Sequence, residues 1–240
     1  MGSKSGTLSG SVHGRRYDSR RHQGRWPLLL AGLLAVLVGF PHLMLGQVIP
    51  GRRPPAEPRF YVYEDASSSN NHYEPTGYMG DVGDIRIVKN YEKNPHSGPE
   101  SLQIVYSAKG TGPSECPYRG PCKWAGVYWQ QPTNNWGKDQ VSKAKGWDLS
   151  SYNRLLFAAR AEKPATIEFK VGGIDAPYGD SLKDGRRKVA KLTEAWQEFE
   201  IDLTGADLRH IIGGFSWVTN WDTNPQGVTF YLDDVRFERR

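Results

Sequence analysis

The segment at residues 124–137, WAGVYWQQPTNNWG, combines four large aromatic side chains with amides and glycines. Successive side chains of a β-strand point to opposite faces, so Val127 and Trp129 would lie on one face and Tyr128 and Gln130 on the other. The first pair is typical of a core. The second pair, an aromatic ring beside an amide, predicts an outer face that binds a ligand with both apolar and hydrogen-bonding groups.

A later strand supplies charged groups to a similar face, because Glu168 and Lys170 alternate with the apolar residues of TIEFKV. On neighbouring strands, the two segments would present a ring, an amide, a carboxylate and an ammonium group, which suits the apolar faces and hydroxyl rim of a sugar ring. Gly126 would let such a ligand approach the backbone. The remaining candidate binding residues are Trp136, Tyr178 and Trp221 in loops, and Trp217, which the alternation in GGFSWVTNW leaves open as a core residue or a binding platform.

Two pairs of acidic residues lie at opposite ends of the β-rich part of the sequence. Glu64 and Asp65 end its first apolar segment, and Asp233 and Asp234 interrupt its last, YLDDVRFE. An acid pair inside an apolar strand is costly unless it is paired or bound to a metal. If the first and last strands are neighbours, the four carboxylates converge, and such hard oxygen ligands predict a structural Ca²⁺. The alternative is that one acid of each pair faces water and the other caps a turn.

Motifs for catalysis are absent from the sequence, which has no G-x-S-x-G, no H-E-x-x-H and no phosphate-binding loop. Its six histidines are scattered. Glu168 is the one carboxylate considered as a glycosidic acid, and a small glycan-active enzyme is the least favoured alternative. The sequence therefore predicts a protein that is not an enzyme.

Period-two alternation predicts about nine strands separated by turn residues, and hence an all-β fold: a two-sheet antiparallel β-sandwich, a jelly roll. The predicted strands cover residues 60–64, 85–87, 102–106, 126–131, 155–159, 167–171, 199–203, 211–218 and 228–237.

The net charge of +5 is unevenly distributed. Residues 1–53 hold eight Lys or Arg and one acid, whereas the remaining residues hold 23 basic and 25 acidic side chains. Because the predicted sandwich is mildly acidic, it lacks the basic surface expected for nucleic-acid binding.

The N-terminal region predicts a membrane anchor. Residues 1–25 are expected to be a disordered basic cytoplasmic tail, 26–46 one transmembrane helix without Asp, Glu, Lys or Arg, 47–58 a Pro-rich linker, and 59–240 the sandwich domain. The positive-inside rule places the domain outside the inner (plasma) membrane, in the periplasm or beyond. A cleaved signal peptide is the alternative, although LMLG fits a cleavage site poorly.

The chain has only two cysteines, Cys116 and Cys122, in CPYRGPC. Outside the cytoplasm a local disulfide is the expected outcome. Because the loop between them is short, its main effect would be on the shape of that loop.

Five segments occur in a characteristic order: FYVYEDAS, HSGPESLQIVY, DLSSYNRLLFAARAE, EAWQEFEIDL and VTFYLDDVRFE. With them, residues 59–240 resemble the galactose-binding-like jelly-roll domains that serve as carbohydrate-binding modules in bacterial glycanases and cell-surface proteins. The resemblance implies a structural calcium at Glu64 and Asp233, and a glycan site on the concave sheet at the strands carrying Tyr128, Gln130, Lys170 and Trp217. Without an attached catalytic domain, it implies a membrane-tethered binder of poly- or oligosaccharide. The alternative is a structural or protein-interaction domain of a cell-envelope complex.

Overall fold

A computed structural model describes residues 59–111, 116, 120–140 and 145–240. The predicted tail (1–25), membrane helix (26–46) and linker (47–58) lie outside these residues. Within the described ranges, no helix is long and apolar enough to cross a membrane.

Alternating apolar residues and β-branched or aromatic side chains favour strands throughout the described part of the chain. It forms eleven strands and one short 3-10 helix, Val82–Asp84. The strands are β1 (Arg59–Tyr63), β2 (Glu74–Gly80), β3 (Ile85–Tyr91), β4 (Ser101–Tyr106), β5 (Trp124–Gln130), β6 (Arg154–Ala161), β7 (Ala165–Val171), β8 (Arg186–Leu192), β9 (Gln197–Asp202), β10 (Gly213–Asn220) and β11 (Val228–Glu238).

The strands form two antiparallel sheets. The six-stranded sheet has the order β3-β4-β11-β6-β9, with β1 also paired to β11, and the five-stranded sheet has the order β2-β5-β10-β7-β8. The chain changes sheet between most consecutive strands, as it does in a jelly roll. The predicted all-β, two-sheet antiparallel sandwich is thereby confirmed.

The core lies between the sheets and is rich in rings. From the five-stranded sheet, Trp129 and Trp217 are almost completely buried, and the Trp217 ring lies 5.2 Å from Phe230 of the opposite sheet. Phe157 and Phe169 pack across the interface with ring centroids 4.5 Å apart. Because Trp129 faces the core, the neighbouring Tyr128 faces the outer side of its sheet.

Two strands, β2 and β8, were missed by the period-two pattern. In β2, EPTGYMG, proline and glycine interrupt the alternation, and in β8, RRKVAKL, only Ala190 and Leu192 are buried. Both are edge strands of the five-stranded sheet, where proline and charged residues are tolerated because one side of the backbone is unpaired. These two strands complete the five-stranded sheet on its two edges.

Candidate functional site

The outer face of the five-stranded sheet is set by the pairing register. Tyr128 lies opposite both Gly77 and Ser216 on its two neighbouring strands. Ser216 in turn lies opposite Lys170, and Lys170 opposite Arg187. The next outward row, two residues along each strand, contains Met79, Gly126, Val218, Glu168 and Val189. The register therefore brings the predicted β5 and β7 residues onto one face.

This face and the loops beside it enclose a groove of about 740 Å³. Four of the predicted binding residues line it: Tyr128, Trp136, Glu168 and Lys170. Trp124, Met79 and Val218 add apolar surface, and Lys138 and Asp175 add charges. The groove thus combines aromatic, aliphatic and charged groups, which is the mixed lining expected of a specific ligand site.

Tyr128 is the central ring of the groove, although only 4% of it is exposed. Its hydroxyl donates a hydrogen bond to the carbonyl of Gly172 at 3.1 Å. The edge of Trp136 packs on it with ring centroids 6.0 Å apart, and Lys170 Nζ lies 5.1 Å from its ring centre. Burial raises the pKa of Tyr128, so the phenol stays neutral and works as an apolar surface and fixed dipole.

Trp124 is a groove residue that sequence reasoning did not assign. It is half-buried and starts β5, on the same side of the strand as Tyr128. The signal was present in the sequence, because W-x-G-x-Y places Trp124, Gly126 and Tyr128 on one face. The alternation used for Tyr128 would have identified Trp124 as well.

Trp136 is positioned by a loop that the fully buried Gln130 holds in place. Gln130 Nε2 donates to the carbonyl of Asn135 at 2.8 Å, and its Oε1 accepts from Thr76 Oγ1 at 3.1 Å. The expectation that Gln130 binds a ligand is therefore wrong, since its amide is buried and is used within the protein. Gln130 instead fixes the residues that precede Trp136.

The loop of Trp136 also packs against the loop of Tyr178. The backbone N–H of Tyr178 donates to the carbonyl of Gly137 at 2.9 Å. Gly137 has a φ of +67°, and a Cβ there would lie 2.7 Å from the Cα of Gly179, so only glycine fits. Tyr178 itself does not line the groove, and it serves to join the two loops.

Gly126 does not expose backbone to a ligand, in contrast to the expectation. A Cβ at this position would lie 2.8 Å from Val218 Cγ2 and 3.2 Å from Met79 Cε, so neighbouring side chains already cover it. Glycine is required here because a Cβ would also lie 2.6 Å from the backbone carbonyl oxygen of Trp217, which cannot move aside. The resulting floor of the groove is aliphatic.

The prediction that Trp217 serves as a binding platform is wrong, because its side chain is completely buried in the core against Phe230. Both sides of its strand carry apolar residues, so alternation alone could not orient it. Trp221 also lies outside the groove lining. It is half-buried, with Lys123 Nζ 5.7 Å from its ring centre. Neither tryptophan contributes to the groove.

The groove carboxylates are each ion-paired. Glu168 Oε2 lies 3.9 Å from Arg187 Nη1, and Asp175 Oδ1 lies 3.5 Å from Lys183 Nζ. Lys170 is half-buried, and desolvation together with the nearby Arg187 lowers its pKa.

A disulfide and a buried carboxylate fix the chain as it enters β5. Cys116 and Cys122 are bonded, with their Cα atoms 5.5 Å apart, and Cys116 lines the groove. The fully buried Asp81 accepts hydrogen bonds from the backbone N–H groups of Cys122 and Lys123, both at 2.8 Å. These contacts place Trp124 at the edge of the groove.

Asp180 supports the opposite wall. Its carboxylate accepts backbone hydrogen bonds from Ile174 at 2.8 Å, Ile212 at 2.7 Å and Gly213 at 3.0 Å, and Ile174 lines the groove. Burial raises the pKa of Asp180 to about 6 in spite of these bonds. The wall therefore depends on a buried carboxyl group.

The last-strand acids lie beside the loop that precedes β4. Asp233 is fully buried, and its Oδ2 accepts from the backbone N–H groups of His96 at 2.9 Å and Ser97 at 3.2 Å. Asp234 Oδ2 lies 2.8 Å from His96 Nδ1. Burial, followed by the nearby charge of Asp234, raises the pKa of Asp233 to about 7. These oxygens are held by the protein's own donors.

The first-strand acids reach the same loop. Asp65 Oδ1 accepts the backbone N–H of Glu100 at 3.1 Å, whereas Glu64 accepts from Ser68 and Asn70. Oxygen ligands of the type that Ca²⁺ prefers are thus present near the junction of β1 and β11. Among the described residues, however, no three His, Cys, Asp or Glu side chains are grouped so that they could hold a metal ion. A calcium ion at Glu64, Asp65, Asp233 and Asp234 stays a prediction.

No protein-family model matches the chain, and no curated protein sequence does. Similar solved structures include the family 30 carbohydrate-binding module of the cellulosomal cellulase Cel9D-Cel44B of Clostridium thermocellum, with 14% identity, 76% of this chain and 98% of that chain covered, and a TM-score of 0.46. The family 11 carbohydrate-binding module of the cellulosomal cellulase Lic26A-Cel5E of the same organism has 11% identity, 74% and 94% coverage, and a TM-score of 0.45. The agarase AgWH50C has 12% identity, 77% and 25% coverage, and a TM-score of 0.45. At such identities, and with TM-scores below 0.5, these similarities do not assign a ligand to the groove.

Proposed function

We propose that this protein binds carbohydrate in the groove on the five-stranded sheet and does not act as an enzyme. The observation that carries the proposal is the placement of three rings, Trp124, Tyr128 and Trp136, beside Glu168 and Lys170 in one groove. A sugar ring offers apolar C–H faces to the rings and hydroxyl groups to the charged side chains.

The groove suits a short stretch of polysaccharide. Its volume of about 740 Å³ lies within the range of small-molecule sites, roughly 300–1,000 Å³. The half-buried rings of Trp124 and Trp136 provide the apolar contact, and Lys170 and Glu168 reach the hydroxyl rim. A site that leaves one side of the ligand in water gains little binding free energy, so we expect modest affinity.

The groove charges favour binding over hydrolysis. A glycosidase normally uses two carboxyl groups on opposite sides of the scissile bond, one of them with a raised pKa. The groove carboxylates Glu168 and Asp175 are instead each paired with a basic side chain, Arg187 and Lys183. Each groove carboxylate therefore already has a charged partner within the protein, which favours a role in ligand contact over one in proton transfer.

The proposed setting is the outer side of the inner membrane, and it rests on the apolar sequence of residues 26–46 with basic residues before it. We expect the full-length protein to remain in the membrane fraction after carbonate washing, and protease added to spheroplasts to digest the sandwich. Release by carbonate, or protection from protease, would contradict this setting.

The binding proposal is tested with purified full-length protein on a panel of neutral and acidic polysaccharides, by affinity electrophoresis and calorimetry. The Trp124→Ala/Trp136→Ala double variant should lose at least about thirtyfold in affinity, since buried aromatic anchors contribute about 2 kcal/mol or more. The control is Trp196→Ala, which removes a half-buried tryptophan outside the groove lining. Absence of binding by folded wild-type protein, or equal losses in both variants, would contradict the proposal.

A further inference from the structure

The charges of the groove do not cancel once their partners are considered. Glu168 and Asp175 each lie within 4 Å of a basic side chain outside the groove lining, at 3.9 Å for Arg187 and 3.5 Å for Lys183. Among the described residues, no carboxylate lies within ion-pair distance of the groove lysines, Lys138 and Lys170. When these partners are counted with the described lining residues, the basic groups outnumber the carboxylates, so this set carries a net positive charge.

Lys170 is the better placed of the two lysines. It is half-buried on β7, between the central strand β10 and the edge strand β8, and its Nζ lies 5.1 Å from the centre of the Tyr128 ring. Its direct cross-strand neighbour on the same face is Arg187. Like charges directly opposite each other on neighbouring strands are destabilising, so a ligand anion would relieve this repulsion.

The desolvation of Lys170 also favours the binding of an anion beside it. The pKa of Lys170 is lowered first by burial and then by the charge of Arg187, and these effects outweigh those of Glu168 and Asp180, which raise it. An anion bound beside Nζ would offset both effects, and it would gain a charge-assisted hydrogen bond, which is roughly twice as strong as a neutral one. Lys170 is thus already desolvated and held beside a ring before any ligand binds.

We propose that the groove selects acidic polysaccharide, with a carboxylate or sulfate group of the sugar paired to Lys170 while the sugar ring packs on Trp124 and Trp136. This inference deepens the proposed carbohydrate-binding function and rests on it. A ring beside a cation is matched by a sugar unit that carries both an apolar face and a negative group. A neutral sugar of the same shape would leave Lys170 without an ion-pair partner among the described residues.

The test uses two matched pairs of polysaccharides with purified full-length protein. Polygalacturonate is compared with its fully methyl-esterified form for the carboxylate, and κ-carrageenan with its chemically desulfated form for the sulfate. We expect at least one acidic member to bind about tenfold more tightly than its neutral partner at 50 mM salt, and this preference to shrink at 500 mM salt because the charges are screened.

Lys170→Met keeps the length and apolar contact of the side chain while removing the charge. It should reduce affinity for the acidic member about tenfold and change affinity for the neutral member less than threefold. The matched control is Lys188→Met. Lys188 is exposed on β8 and lies opposite the inward-facing Phe169, so it is on the other side of the sheet from the groove. This control should leave both affinities within twofold.

The outcomes separate the two proposals. Preference for polygalacturonate alone identifies a carboxylate ligand, and preference for κ-carrageenan alone identifies a sulfate ligand; either supports the inference. Equal binding of acidic and neutral members, or an equal effect of Lys170→Met on both, overturns the acidic selectivity and leaves carbohydrate binding in place. Failure to bind any polysaccharide of the wider panel would overturn carbohydrate binding itself.

Discussion

The outer faces of the two sheets use similar side chains in different ways. On the six-stranded sheet, Arg236 Nε contacts Glu238 Oε1 at 2.8 Å and Arg236 Nη2 contacts Glu198 Oε2 at 3.0 Å. The Tyr231 ring on that face is covered by Arg160, 3.8 Å from its centre. On the five-stranded sheet, the Tyr128 ring is approached by Lys170 at 5.1 Å, and no described carboxylate pairs with that lysine.

This difference separates stability from binding. On the six-stranded face the cations and rings satisfy each other, because Tyr231 also donates to Glu162 and accepts from Gln103. On the five-stranded face the corresponding groups line a groove, so their interactions can be completed by a ligand. The contrast rests on Lys170, which has no ion-paired carboxylate among the described residues, and not on the Tyr128 ring, which is nearly as buried as that of Tyr231.

The largest effect that we predict concerns the ion pairs of the two faces. Glu238→Gln should lower the free energy of unfolding by about 3 kcal/mol, because Arg236 and Arg154 lose their shared carboxylate and keep only Glu198 and Glu200 as partners. Glu168→Gln, which breaks the more exposed pair with Arg187, should cost less than about 1 kcal/mol. Urea denaturation measures both, and similar losses would refute the division between the faces.

The next prediction concerns the groove wall. The folded pKa of Asp180 is about 6, above the ordinary value of 3.8, so between these pH values the folded state holds a proton that the unfolded state has lost. The contribution of Asp180 to stability therefore falls as the pH rises through this window. Relative to Asp180→Asn, the wild type should lose about 2 kcal/mol of unfolding free energy between pH 4 and pH 6.

Thermal and urea denaturation across this pH range provide the measurement for the Asp180 prediction. Asp184→Asn, at an exposed position of the turn before β8, is the matched control and should parallel the wild type. If Asp180→Asn also parallels the wild type, the wall does not depend on an ionisable buried carboxyl group.

Calcium should have a smaller effect. An ion bound at the junction of β1 and β11 would raise stability by about 1.4 kcal/mol at ten times its dissociation constant, or roughly 4 °C in Tm. Asp65→Asn should abolish this rise, whereas Asp202→Asn, at an exposed site, should preserve it. Differential scanning fluorimetry with CaCl₂ and with EDTA decides: no rise in the wild type would refute the predicted calcium ion.

The smallest effect that we predict concerns the cation that covers a ring on the six-stranded sheet. Arg160→Met removes the cation from the Tyr231 ring and should cost about 1 kcal/mol of stability. Polysaccharide affinity should stay within twofold of the wild type, because this residue lies on the six-stranded sheet. Calorimetry with the panel of polysaccharides tests this prediction, and a large loss of affinity would indicate that the ligand binds to the six-stranded sheet.

Much of this arrangement could be predicted where one side of a strand is clearly apolar. Alternation separated Trp129 from Tyr128 and oriented Glu168 and Lys170, since their neighbours are unambiguous. It could not orient Trp217, because Phe215, Trp217 and Val218 make both sides of β10 apolar, and only the sandwich shows which side is enclosed. The role of Gln130 was also hidden, because its partners Thr76 and Asn135 belong to an unpredicted strand and a loop.

The basic composition of β8 has a consequence for the protein's behaviour in concentrated solution. A strand at the margin of a sheet exposes unpaired backbone groups that can recruit the same strand of another molecule. Arg186, Arg187, Lys188 and Lys191 crowd this margin with like charges, so two copies repel each other there before their backbones can pair. Strand β8, which the hydrophobicity pattern does not predict, thus protects the protein against self-association.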